Sequence, residues 1–183
     1  MASSLAERNN PYVIKHVDSA GNIAVAGVSF GFTASVTFTR PADINAYTAN
    51  DVVGATAAAL EFTNSGASGG AIIINSAELE IDINAVPAGM TTHTLHLYGV
   101  TPPSALADSA AFDLPAGDRA SYLGSLALGT PVDLGSTLYV RTNNIDAQFR
   151  LTGTSLFGYL VTVGGYTPAS AVVSKITLHA TAV

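Results

Sequence analysis

Two long stretches of the chain, residues 19–39 and 151–174, contain no Asp, Glu, Lys or Arg. Thr, Ser and Gly interrupt their apolar side chains every one to three positions. Examples are Ile23-Ala24-Val25-Ala26-Gly27-Val28-Ser29-Phe30-Gly31-Phe32 and Leu156-Phe157-Gly158-Tyr159-Leu160-Val161-Thr162-Val163. A membrane-spanning helix needs roughly 20 predominantly apolar residues in one run, and Gly, Ser, Thr and Pro168 break every candidate before that length. These stretches therefore predict strands whose faces are covered by protein, partly from other subunits. An outer-membrane barrel also contains low-charge strands, but it would ordinarily need an export signal. The opening Met1-Ala2-Ser3-Ser4-Leu5-Ala6-Glu7-Arg8 has no basic segment followed by an apolar one, so no secretory signal and no membrane partner are expected.

Composition points the same way. The 183 residues suit one domain. Charged residues are only 11% of the chain, against roughly 25% in ordinary soluble domains, while apolar residues make up 48%. The surplus reads as subunit interface, which is more apolar than free surface in obligate oligomers. Net charge is −6, and Arg8, Lys15, Arg40, Arg119, Arg141, Arg150 and Lys175 are scattered singly. Nucleic acid is bound mainly through clustered Lys and Arg, so direct DNA or RNA binding is not expected. Cysteine is absent, which excludes disulfides and thiolate metal sites.

Strand signals run almost the length of the chain. Residues 1–11 are a short polar arm, and residues 12–183 are expected to form one β domain. Its candidate strands are 12–17, a β-rich region over 23–39, the apolar Ile72-Ile73-Ile74, and the alternating Glu78-Leu79-Glu80-Ile81-Asp82-Ile83. Further strands are expected over 92–99, 121–128, 137–142, 148–152, 156–163 and 172–180, with Gly, Pro, Asn and Asp clusters between them. Ala57-Ala58-Ala59-Leu60 favour helix, but Asp51-Val52-Val53 and Phe62-Thr63 on either side favour β, and residues 55–61 are taken as strand. The Gly-rich run from Asn64 to Gly70 is expected to be a hairpin connection. Many strands without alternating helices predict an all-β fold, an antiparallel β-sandwich of jelly-roll type.

Chemistry is harder to find. Gly27-Val28-Ser29-Phe30-Gly31 matches the G-x-S-x-G pattern of hydrolase nucleophiles, but that elbow needs a helix after it, and Phe32-Thr33-Ala34-Ser35-Val36-Thr37-Phe38 reads as strand. His93 and His96 are three apart; on a strand they fall on opposite faces, which argues against a shared metal and for strand or interface histidines, whose protonation could tune assembly near pH 6. Glu78, Glu80 and Asp82 could be paired acids or a calcium site; on an amphipathic strand they are more simply its solvated or subunit-facing side. The Gly-rich run lacks the Lys-Ser/Thr of a phosphate loop. No enzyme site and no cofactor are expected.

A set of landmarks resembles small virion structural proteins of tailed bacteriophages. It begins with Arg40-Pro41-Ala42-Asp43, Tyr47, Asp51-Val52-Val53-Gly54 and Leu60-Glu61-Phe62. It continues with Leu95-His96-Leu97-Tyr98, Pro102-Pro103, Ala107-Asp108-Ser109-Ala110-Ala111-Phe112, Asp118-Arg119, Leu123-Gly124 and Tyr166-Thr167-Pro168-Ala169-Ser170. The resemblance runs from about Phe38 to the C-terminus. It implies a capsid decoration, or cement, protein: a homotrimer made in the host bacterial cytoplasm, carried on the virion surface, and bound to the major capsid protein. Similar sequences carry basic residues around the strand that here reads Glu78-Leu79-Glu80-Ile81-Asp82, so a charge contact there is not carried over. A tail or fibre component that binds a host receptor or glycan is the alternative, with Tyr47, Tyr98, Tyr122, Tyr139, Tyr159 and Tyr166 as possible aromatic platforms.

Two segments stand out as candidate sites. Pro41 presets the backbone between the charges of Arg40 and Asp43, so the three are expected to form an ordered corner. The arm, through Ser3, Ser4, Leu5, Arg8, Asn9 and Asn10, is the expected capsid contact, since a short polar end can order on a partner.

Overall fold

The computed structural model of the chain describes residues 15–17, 23–25, 31–55 and 58–183. Among these residues there are twelve strands and no helix. In chain order they are β1 (Lys15–Val17), β2 (Ile23–Val25), β3 (Gly31–Thr39), β4 (Val52–Val53), β5 (Leu60–Phe62), β6 (Ala71–Ile81), β7 (His93–Tyr98), β8 (Tyr122–Leu128), β9 (Val132–Asp133), β10 (Leu138–Arg150), β11 (Leu156–Thr162) and β12 (Val173–Ala182). β1 and β2 pair with each other, Lys15 opposite Val25. The others form two sheets, one in the order β3-β12-β6-β10-β9 and one in the order β4-β11-β7-β8, with β5 also on β11.

Nested antiparallel pairs generate this order. β7 pairs with β8, β6 with β10 around them, β4 and β5 with β11 around those, and β3 with β12 outermost. Successive pairs fall in alternate sheets, so one long folded ribbon is rolled into a sandwich. That is the winding of a jelly roll, the fold class expected from the sequence.

Period-2 alternation builds the core. Along β6, Ile72, Ile74, Leu79 and Ile81 turn inward, as do Ile176 and Leu178 on β12. They meet Leu95 and Leu97 of β7, Leu126 and Leu128 of β8, and Leu156 and Leu160 of β11. Each such side chain contributes roughly 1.5–3 kcal/mol of burial free energy. The acids of β6 point out and are matched across the ladder: Glu78 lies opposite Arg141 and 3.1 Å from it, and Glu80 opposite Lys175 and 3.4 Å from it.

Connections gather at two ends. Residues 40–51, 82–92, 129–137 and 163–172 cross or turn at one end, tied by hydrogen bonds from Arg40 N to Val172 O (3.0 Å), Tyr47 N to Tyr166 O (2.9 Å) and Val163 N to Thr92 O (3.0 Å). Residues 63–70, 99–121 and 151–155 occupy the other, where Ser65 N donates to Thr154 O (2.8 Å) and Leu151 N to Gly70 O (2.9 Å). The 99–121 excursion does not stay there. It folds back over the outer face of the second sheet and lays Ala111 beside Asp51, while Leu106, Phe112 and Leu114 pack on Tyr98, Tyr159, Val161 and Val52 as a second core.

Several expectations need correction. The strands expected over 72–74 and 78–83 merge into one, β6, which ends at Ile81, and those expected over 137–142 and 148–152 merge into β10, which spans Leu138–Arg150. The expected strand over 55–61 is broken: β4 ends at Val53 and β5 starts at Leu60, both pairing with β11 as one interrupted strand. Residues 64–70 are not a hairpin, because β5 and β6 lie in different sheets. They cross between sheets, and Gly66 fits there because a Cβ would come 2.7 Å from Leu151 Cδ1 at a φ of +144°.

Candidate functional site

Arg40 follows β3 directly. Pro41 cannot donate to a ladder, the chain turns, and Asp43 N donates to Pro41 O at 2.9 Å. Arg40 is only 4% exposed, and a guanidinium so placed must find partners. It finds five. Its Nη2 lies 2.9 Å from Asp43 Oδ1 and 3.1 Å from Asp108 Oδ2. Its Nη1 donates to Ala169 O at 3.0 Å and to Asp43 O, and its Nε to Tyr47 Oη at 3.1 Å.

Asp108 closes the network from the 99–121 excursion. Its Oδ1 accepts from Tyr47 Oη at 2.6 Å and from Gly54 N at 3.0 Å, and its Oδ2 accepts from Ser109 Oγ at 3.2 Å. Its side chain is 4% exposed, against 37% for Asp43. The Tyr47 ring sits edge-on to Tyr166, with centroids 5.0 Å apart. Burial, aided by the hydrogen bond to Asp108, pushes the Tyr47 phenol above its ordinary range, so it stays a donor. The Asn45 amide, then Arg40, hold the Asp43 carboxyl below the usual value. Every charge here is compensated and neither phenol is available as a base. Chemically the site is a clamp that fastens four segments, 40–47, 54, 108–109 and 169, to one guanidinium.

The structure thus brings Arg40, Pro41 and Asp43 together, while Ser3, Ser4, Leu5, Arg8, Asn9 and Asn10 lie outside the described residues. Sequence reasoning missed Asp108 as a partner of Arg40. The signal was a lone carboxylate inside Ala105-Leu106-Ala107 and Ala110-Ala111-Phe112: a charge in an apolar run needs a buried counterion.

The other candidates do not assemble chemistry. Ser29 lies outside the described residues, but Gly31 opens β3, a strand where a nucleophile elbow requires a helix. His93 and His96 fall on opposite faces of β7. His93 is fully buried in the main core beside Tyr166, with no hydrogen-bond partner for either ring nitrogen. His96 stacks on Phe112 at 3.9 Å under the excursion, with Nδ1 3.0 Å from Tyr122 Oη. Burial lowers the pKa of both, that of His93 to about 4, so the expected tuning near pH 6 does not hold for His93. The tyrosines do not form exposed platforms: Tyr47, Tyr98, Tyr159 and Tyr166 are buried, and Tyr122 and Tyr139 half-buried. Among the described residues no three His, Asp or Glu gather as metal ligands.

No family model matches the chain, and no curated protein matches it in sequence. Comparison with solved structures gives partial likenesses. A lipoprotein of Bacteroides thetaiotaomicron is 10% identical with a TM-score of 0.37, over 83% of each chain. A chain of the rhinovirus-B5 structure is 10% identical at 0.31, over 100% of this chain and 84% of that one. A chain of Desmodium yellow mottle tymovirus is 12% identical at 0.29, over 87% and 90%. At TM-scores of this size the strand order itself remains the ground for the fold.

Proposed function

We propose that this chain is a non-catalytic structural protein of a virus particle, a decoration or cement protein on the head shell of a tailed bacteriophage. The observation that carries the reading is the convergence at Arg40. The phage-like landmarks Arg40-Pro41-Ala42-Asp43, Tyr47, Gly54, Asp108 and Ala169 are far apart in sequence, yet all contribute to one buried clamp. A set of landmarks spent on holding a jelly roll together is what a structural protein needs. It is not what an enzyme spends its distinctive residues on, since catalytic groups must reach a substrate. The buried tyrosines favour this reading over a glycan-binding tail or fibre component, which would present aromatic rings to solvent.

Particles produced from the genome that encodes the chain test the proposal. Quantitative mass spectrometry of purified particles should find the protein at a copy number comparable to that of the shell subunit. Electron cryomicroscopy should show its sandwich on the head surface. Absence from particles, or a few copies confined to the tail, would overturn it.

A further inference from the structure

We propose that the end of the sandwich built from residues 40–51, 82–92, 129–137 and 163–172 is the docking surface, and that its occupant is a protein surface in which apolar side chains surround a lysine or arginine. The inference rests on the particle-protein reading and deepens it. Among the described residues seven large apolar side chains are exposed. Five of them, Ile44, Val86, Val132, Leu134 and Val163, lie on the connections at this one end, with Ile44 and Leu134 67% and 66% exposed. Val100 and Val183 lie at the other. Singly scattered surface apolar residues are ordinary, and what sets this end apart is that five of the seven gather on its connections.

Charge decides the occupant. The only Lys or Arg in these four connections is Arg40, which is buried and held by two carboxylates. Among the described residues Asp82 and Asp133 are exposed without a cationic partner, and Asp43, paired with Arg40, is partly exposed. Two copies meeting end to end would oppose carboxylates to carboxylates, and nucleic acid would bring more negative charge. A basic, partly apolar protein surface complements both properties. The acidic part is also shaped to receive such a side chain. An open groove of about 580 Å³ is lined by Asp82, Asn84, Ser136 and Thr167 beside Pro87 and Pro168. A lysine or arginine stem can lie on the proline rings while its head reaches Asp82. The walls are already fastened, through Met90 N to Pro87 O (3.1 Å) and Ala171 N to Pro41 O (3.2 Å), so little ordering is needed on binding.

The probe is the particle assembled from the same genome with this gene deleted. Purified wild-type protein should fill it saturably and less completely at high salt. Asp82→Lys with Asp133→Lys should lower the affinity at least tenfold, Asp82→Asn should lower it less, and Ile44→Ser with Leu134→Ser should again lower it at least tenfold. Val100→Ser with Val183→Ser, at the opposite end, should bind as wild type, and melting curves should show all variants folded. If wild type fills the particle and both loop-end doubles fill it equally well, docking lies elsewhere and this inference fails while the particle-protein reading stands. If wild type does not bind the particle at all, that reading fails with it. If the loop-end doubles instead dissociate a wild-type oligomer and leave particle filling unchanged, the occupant is a second copy and the inference is overturned.

Discussion

Asp43 and Asp108 both hold Arg40, but from different surroundings, and substitution separates them. Asp108 is nearly as buried as Arg40 itself, so Asp108→Ala leaves a guanidinium with reduced compensation out of water and strands Tyr47 Oη and Gly54 N. Loss of one member of a buried pair costs about 3–5 kcal/mol, and urea unfolding should register a destabilisation of that order. Asp43→Ala should cost clearly less, because its side chain reaches solvent and Arg40 keeps Asp108. Equal losses for the two would show that the clamp does not depend on burial. His93 makes a pH prediction. Its folded pKa is about 4, lowered from 6.5 by burial, so between these values the unfolded chain binds a proton that the folded chain refuses. Stability is then full above about pH 6.5 and declines as pH falls towards 4, by about 3 kcal/mol at the limit. His93→Leu should flatten that part of the pH profile of urea unfolding, and a profile superimposable on wild type would refute the assignment.

At the scale of the element, the sequence showed strand character almost everywhere and was least informative where strands break or continue. Residues 143–146, Asn-Asn-Ile-Asp, carry turn chemistry and split β10 into two expected strands. The neighbouring β6 continues through this region as one strand, so the extra residues become a bulge: Asn143 pairs with Ser76 and Ala147 with Ile74, three residues facing Asn75 alone. Asn144 and Asp146 take up the distortion at φ values of 57° and 48°. On its other side β6 is itself bulged at the same place: the adjacent His179 and Ala180 pair with Ser76 and Ile74 and leave Asn75 unpaired. Local residue preference cannot reveal such a bulge, because it depends on a strand some seventy residues away. The Arg40 corner was legible for the complementary reason: Pro41 and two adjacent charges act within four residues, whereas Asp108 reaches it across the fold. Asn144 tests the bulge. A β-branched residue in left-handed backbone costs about 1–2 kcal/mol, so Asn144→Val should lower thermal stability by that order while Asn144→Gly should not. Identical melting of the two would show that the left-handed turn is not maintained in solution.

Across the whole molecule, low charge has to be reconciled with a surface on which, among the described residues, only seven large apolar side chains are exposed. Much of the apolar content is consumed by two cores, one between the sheets and one under the 99–121 excursion, and the acidic loop end is unsuited to meeting its own copy. Self-association is therefore expected along the sides of the sandwich. β8 is the natural element for it. Among the described residues it ends its sheet with β7 on one side only, and Tyr122-Leu123-Gly124-Ser125-Leu126-Ala127-Leu128 contains none of the charges or prolines that usually guard an edge. We propose that this edge meets a different surface of the next copy, a heterologous contact whose rotation closes after three copies rather than continuing as a filament. Light scattering of the purified chain should then give the mass of three copies of 18.6 kDa each. Ala127→Lys places a charge on that edge at an exposed position and should reduce the species to a single chain without lowering the melting temperature of the sandwich. The loop-end substitutions Ile44→Ser and Leu134→Ser should leave the mass at three. A wild-type protein running as one 18.6 kDa chain at micromolar concentration, or an Ala127→Lys variant still running as three, would remove β8 as the assembly edge.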